Sequence, residues 1–193
     1  MRKLTYFVAA TLDGYIAGPN GELDFFPYQD EDIQTIAADY PETLPVPVRG
    51  ALGVADAPSR HFDTVIMGRG TYDPGLEAGL TSPYAHLRQY VVSTTLTSPD
   101  PDVEVVGGDP VALVRDLKKQ DGQDIWLAGG GKLAGALLGE IEKLIVKRHR
   151  IVAGSGTPMF AGHFAPAAFT PTDTRTLASG LEFITYSRTG GRI

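Results

Sequence analysis

Two stretches combine residue types and spacing that could hold a phosphate-bearing ligand. In VIMGRGTY, residues 65–72, an apolar run stops at Gly68, a guanidinium follows at Arg69 and a hydroxyl at Thr71. Glycine lets a ligand approach the backbone, arginine offers a charged fork, and a helix start beside them adds free amides. WLAGGGKLAGALLG, residues 126–139, repeats the arrangement, with Gly129, Gly130 and Gly131 between a short apolar run and an amphipathic segment headed by Lys132 and Leu133. Known phosphate loops do not match. Lys132 is followed by leucine where a Walker A loop needs serine or threonine, and no GxGxxG follows the first strand-like run. Taken singly, each stretch also has a plain reading. Arg69 suits a surface ion pair, and a triple glycine suits a connecting loop.

Such residues act only if secondary structure brings them to one place. Leu4–Ala10 (LTYFVAA) is a nearly continuous apolar run, the pattern of a strand buried on both faces. TVIM (64–67), YVVS (90–93), 103–106 and 125–128 read as further short strands, and 144–152 as a longer one with several cations. A helix starts near Asp30, with Ile33, Ile36, Ala37 and Tyr40 at helical spacing, and stops at Pro41. Another has Asp109 at its N-cap and Pro110 in its first position, and a third runs over 131–138. Runs at 169–178 and 181–188 form an antiparallel hairpin turned at Ser179-Gly180. Strands alternating with helices and ending in a hairpin predict one α/β domain over residues 1–193, with a single mixed, mostly parallel central sheet flanked by helices. Residues 41–60 hold four prolines and no clear period. They read as a long loop insertion, either a lid or a mobile surface segment, bordering the cleft.

Composition removes several classes. The chain has 193 residues, no cysteine and a formal net charge of −6, so disulfides, thiolate metal sites and cysteine nucleophiles are out and a nucleic-acid partner is disfavoured. The four histidines, at 61, 86, 149 and 163, show no metal-ligand spacing, and no metal is expected. No apolar run reaches the roughly 18 residues of a membrane span, so a cytoplasmic protein without a membrane partner is expected.

Taken jointly, VIMGRGTY, YVVSTT, IWLAGGGKLAGALL and KLIVKRHRIVAGSGTPMF stand in the order and spacing of dihydrofolate reductase-like proteins. With VAATLDGYIAG at the start, the chain resembles the branch containing the reductase domain of bacterial riboflavin biosynthesis, over most of residues 4–164. The resemblance implies NADPH as cofactor, bracketed by Gly68-Arg69-x-Thr71 and by a cis-linked Gly129-Gly130 pair. It implies that Arg69 and Thr71 meet the phosphates, that Ser93, Thr94 or both receive the adenosine 2′-phosphate, and that Gly131, Lys132 and Leu133 start a phosphate-facing helix. Ala9 and Ile16 fall where the family packs the nicotinamide. A homodimer is also implied. Ser93 and Thr94 read equally as the end of an exposed strand.

At the substrate end, the family's helix carboxylate falls at Asp30, with Asp24 and Asp32 nearby; Asp30 also reads as a helix cap. A strand position that is a small hydroxyl in dihydrofolate reductases proper is Lys147 here, which suits an anionic substrate or else extends to solvent. Asp13 serves a turn as well as it would serve catalysis. The expected function is NADPH-dependent hydride transfer to a small pterin-like, aminopyrimidine or related conjugated substrate, with Asp30 catalytic and Asp24 and Lys147 binding substrate. The alternative is a non-catalytic NADP(H)-binding module acting as a sensor or resistance factor.

Overall fold

The computed structural model describes residues 1–98 and 100–190. In chain order it contains β1 (Leu4–Ala10), β2 (Tyr15–Ala17), α1 (Asp30–Asp39), α2 (Val46–Ala51), β3 (Phe62–Gly68), α3 (Arg69–Glu77), β4 (Arg88–Val92), β5 (Val103–Val106), α4 (Pro110–Lys118), β6 (Asp124–Gly129), α5 (Gly131–Ala136), β7 (Ile141–Arg148), β8 (Thr157–Pro158), β9 (Phe169–Thr176) and β10 (Glu182–Arg188). Eight strands form one sheet in the order β5-β4-β3-β6-β1-β7-β10-β9. The six from β5 to β7 are parallel, and β10 closes that edge antiparallel to both β7 and β9.

Period-two alternation decides which face each side chain enters. Tyr6 and Val8 of β1 join Ile66, Leu127 and Val146 in a core covered by Val114 of α4 and by Leu133 and Ala134 of α5. Phe7 joins Val65, Met67, Trp126 and Ile145 on the opposite face, under Ile36 of α1 and Tyr72 of α3. The chain leaves β1 for β3, moves outward to β5, then returns to lay β6 between β3 and β1 before β7 is added on β1's far side. This reversal opens a crevice beyond the carboxyl ends of β1, β3, β6 and β7, the usual ligand position in such sheets.

Residues 41–60 correct in part the expectation of a loop. A 3-10 turn at Pro41–Thr43 and then α2 lie within residues 41–51, and 52–60 remain a loop. Its organising groups are polar, so no apolar period announces them. The buried Arg49 guanidinium donates to the carbonyls of Pro41 (2.6 Å), Ala55 (3.0 Å) and Ala57 (2.7 Å). The fully buried Glu42 accepts from the amides of His61 (2.7 Å) and Phe62 (3.2 Å). These bonds fix the segment at the amino end of β3, the opposite end from the crevice, so it neither borders the cleft nor covers it.

The strand expected at 144–152 lies earlier, at 141–148. Ile141 is fully buried opposite Leu4, while Val152 is 70% exposed beyond the last pair. The β2–β8 pair, of three and two residues, was too short to carry a period. Helix α5 ends at Ala136 and passes into a 3-10 turn at Leu138–Glu140.

A packing contact explains one of the three consecutive glycines. On α5, a Cβ on Gly131 would overlap the Pro158 carbonyl oxygen, and one on Gly135 would overlap the Ala161 carbonyl oxygen and stand 2.7 Å from its carbon. The Ala161 amide donates to the Gly131 carbonyl at 2.9 Å. Gly131 is bare because the chain after β8 lies directly on the helix. Gly135→Ala is expected to destabilise the fold by about 1–3 kcal/mol, as overpacked contacts do. Gly139→Ala, with nothing within 4 Å of the added methyl, is expected to change stability by less than about 0.5 kcal/mol. Urea denaturation of the two variants checks the contrast.

Candidate active-site crevice

At the carboxyl ends of β3 and β6 the glycines of the two motifs meet. Gly68 caps α3 in extended backbone, and the Gly129-Gly130 peptide is cis. A Cβ on Gly68 would lie 3.6 Å from the Gly130 nitrogen and 3.7 Å from the Gly129 oxygen. From the other side, a Cβ on Gly129 or Gly130 would stand 3.3 or 3.6 Å from the Thr71 hydroxyl. Two bare strand ends and one hydroxyl therefore share a small space. Leu133 is buried against this corner, 3.8 Å from the Gly68 position, so its side chain belongs to the core and only its backbone faces the helix start. Lys132 is exposed, and its side chain makes no hydrogen bond among the described residues.

Arg69, 45% exposed, lies along α3 with its Nε 3.3 Å from Asp73, and its Nη1 donates to Thr95 Oγ1 at 2.7 Å. The guanidinium thus stands over the exit of β4. There Ser93 Oγ accepts from the amides of Thr95 (3.3 Å) and Leu96 (3.1 Å), which builds the turn, and Thr94 is exposed. Thr95 is the contact that sequence reading missed. The only signal was its place third in the Ser-Thr-Thr run. On β1, Ala9 is partly buried and paired with Lys147 of β7, and Ile16 packs at the edge of the α4/α5 core.

The substrate-side acids are reassigned. Asp24 and Asp30 are both exposed, whereas Asp32 is fully buried. Residues on a helix are about 100° apart, so the acid four before Ile36 shares its inward face and Asp30 does not. Asp32 accepts from the Gln29 amide at 2.8 Å, at the N-terminal end of α1, and from the Ser179 hydroxyl at 2.5 Å, from the β9–β10 turn. Asp30 is thus a first-turn acid on the surface rather than the carboxylate of the crevice.

Lys147 turns inward, with Nζ 4.6 Å from the Phe7 ring centre and 5.9 Å from that of Tyr28, so the extension to solvent is not adopted. Loss of hydration lowers its ammonium to about 8. His149 lies on the same strand face two residues on. It is 98% buried between Phe26 (4.8 Å) and Tyr28 (4.7 Å), and its Nε2 has no partner. Burial, then the Lys147 charge, lower its pKa to about 4, against an opposing pull from Asp32. The imidazole is neutral at pH 7. Burial, reinforced by the Asp32 charge, raises the Tyr28 phenol, which stays protonated. Tyr28, Ser179 and His149 were missed, although alternation in VKRHR already put Lys147 and His149 on one face.

Asp13 is a latch. Its exposed carboxylate accepts from Thr11 Oγ1 (2.6 Å) and from the amides of Ala153 (3.1 Å) and Gly154 (2.7 Å), joining the loop after β1 to the loop after β7. Among the described residues no group of His, Asp and Glu could hold a metal ion, and no helix is long and apolar enough to cross a membrane.

A mostly parallel sheet of this order, with two glycine-rich strand ends meeting at its switch point, is a dihydrofolate reductase-like fold. The chain belongs to the RibD C-terminal domain family, whose model matches residues 2–183. It is 28% identical to YyaP of Bacillus subtilis, an uncharacterized protein, over 98% of this chain and 96% of that one. YwjB of the same organism, also uncharacterized, is 28% identical over 82% and 83%. A crystal structure from Shewanella sp. PV-4 that bears a riboflavin-biosynthesis name superposes with a TM-score of 0.73 at 26% identity, covering 97% of this chain and 99% of that one. A Thermotoga maritima diaminohydroxyphosphoribosylaminopyrimidine deaminase/5-amino-6-(5-phosphoribosylamino)uracil reductase shares the fold, with a TM-score of 0.65 at 14% identity. It covers 97% of this chain and 57% of the longer one.

The Asp13 latch has a defined pH range. Its hydrogen bonds, that of Thr11 foremost, hold the carboxyl down at about 2, below the ordinary value near 4. A depressed acid stabilises the folded form above its unfolded pKa and loses that contribution as pH falls through the folded one. Amide exchange at Ala153 and Gly154 is therefore expected to be slow above about pH 4 and to accelerate, relative to amides of the β1–β7 ladder, as pH falls from about 4 to 2. Asp13→Asn should show the fast exchange throughout.

Proposed function

We propose that the protein is an NADPH-dependent reductase transferring hydride to a small conjugated heterocycle of pterin-like or aminopyrimidine type. The observation that carries this reading is the convergence of Gly68, Thr71 and the Gly129-Gly130 pair at the carboxyl ends of adjacent strands. The residues present fit the cofactor. Bare peptide at Gly68, Gly129 and Gly130 admits a flat ring and a pyrophosphate without side-chain overlap, and the hydroxyl of Thr71 and the first amides of α5 can donate to phosphate oxygens. Arg69, beside Ser93, Thr94 and Thr95, offers a cation and hydroxyls to a 2′-phosphate. Ala9 and Ile16 would form the wall against the nicotinamide.

When bound, NADPH supplies the hydride. The chain's own part is to place the acceptor and exclude water. Tyr28, partly exposed over the buried Phe7 and Phe26, gives the substrate end an aromatic surface, and Lys147 gives it a charge. Asp32, sealed by Gln29 and Ser179, positions the start of α1 rather than touching the ligand. Membership of the RibD C-terminal family, and the riboflavin-biosynthesis name of the Shewanella relative, support a heterocycle of this kind.

Fluorescence titration tests the cofactor assignment. Saturable NADPH binding is expected. Arg69→Ala should weaken NADPH by about tenfold or more while NADH changes by about twofold or less, as for loss of a charge-assisted phosphate contact. Equal losses for the two dinucleotides would remove Arg69 from the 2′-phosphate.

A further inference from the structure

We propose that the substrate end of the crevice selects a planar, conjugated anion and that the Lys147 ammonium is its counter-ion. Calling that ligand the substrate rests on the reductase reading; the charge selection itself does not.

The polarity follows from which ionic groups are already engaged. Asp32 is the buried carboxylate of this region, and its two oxygens are taken by the Gln29 amide and the Ser179 hydroxyl. It is fully buried and offers no surface to a cationic ligand, although these neutral donors leave its charge in place. Glu182, next along the sheet, is held by Arg148 at 2.6 Å. Lys147 differs. Among the described residues no carboxylate oxygen lies within 4.0 Å of its Nζ, and its neighbours are the rings of Phe7 and Tyr28. Ring faces attract an ammonium, yet they replace only part of the hydration it gives up.

The other titratable groups facing it add no free negative charge. Tyr28 is a protonated phenol, and His149 is neutral at pH 7 with an unpartnered Nε2. The crevice thus presents an ammonium with no carboxylate in contact, beside aromatic rings; the Asp32 charge reaches His149 and Tyr28 but does not pair with Lys147. A ligand cation would meet like charge there, whereas an anion would complete an ion pair in surroundings of low dielectric, where such pairing is strongest. The ring of Tyr28, partly exposed beside the buried Phe7 and Phe26, adds a preference for a flat partner.

Benzoate and benzyl alcohol, matched in ring and size but not in charge, are suitable probes. They are titrated by calorimetry into the full chain at pH 7, with and without saturating NADPH. Benzoate is expected to bind at least about tenfold more tightly than benzyl alcohol, and to raise the Lys147 ammonium pKa in lysine-labelled NMR spectra. Lys147→Met should level the two probes, and Lys147→Arg should keep the preference. Circular dichroism establishes that each variant folds, and the arginine variant carries the test if the methionine variant does not.

Benzoate binding no more tightly than benzyl alcohol, or a preference that survives in Lys147→Met, overturns the proposal. Failure of NADPH to bind while benzoate still selects through Lys147 would instead overturn the reductase reading and leave the anion site standing.

Discussion

Where β3 and β6 end side by side, peptide faces peptide with almost nothing between, and the rest of the crevice is arranged around that constraint. A side chain at Gly68, Gly129 or Gly130 would fill the space that a flat ligand needs, and one at Gly129 would also crowd the Thr71 hydroxyl. The sheet order supplies the opening, because β6 is inserted between β3 and β1 only after the chain has run out to β5. The glycines keep the opening from being closed by the protein itself. A second close approach, Gly131 and Gly135 of α5 against Pro158 and Ala161, holds the helix whose start faces that opening. Asp13 in turn clips the loop after β1 to Ala153 and Gly154, so the loops leaving the neighbouring strands β1 and β7 are tied together.

The two ends of the crevice differ in their electrostatics. At the β3–β4 end, Arg69 is exposed, loosely partnered by Asp73 and Thr95, and free to turn toward a dianion. At the β1–β7 end, the charge is withdrawn from water and surrounded by rings. Asp32 illustrates how a buried acid becomes structural. Two good donors satisfy it and tie α1 to the β9–β10 turn, so its carboxylate acts on the pocket through its field on Tyr28 and His149.

The strands and the α4 cap were legible because each rests on a local signal. LTYFVAA and the Asp109-Pro110 pair need no distant partner to be read, and β1 and α4 fall where those signals put them. The meeting of Gly68, Thr71 and the glycine pair was legible only through the joint resemblance, since nothing local brings residue 68 to residue 129. Rotational phase hid which acid is buried. Three acidic residues open α1, and which one faces inward depends on where the helix starts, to within a single residue. Residues 41–60 misled because Arg49 and Glu42 organise them through carbonyls and amides, a device that leaves no hydrophobic pattern.

The central claim is that a reduced dinucleotide lies across this crevice, with its nicotinamide end at β1 and its phosphate end at α3. A crystal structure of the protein soaked with NADPH tests it most directly. The account predicts the nicotinamide within van der Waals contact, about 4 Å, of Ala9 and the Gly129-Gly130 peptide, with the 2′-phosphate beside Arg69 and Thr94. A dinucleotide bound elsewhere, or Gly68, Thr71 and Gly129 drawn together with no ligand entering, would contradict it.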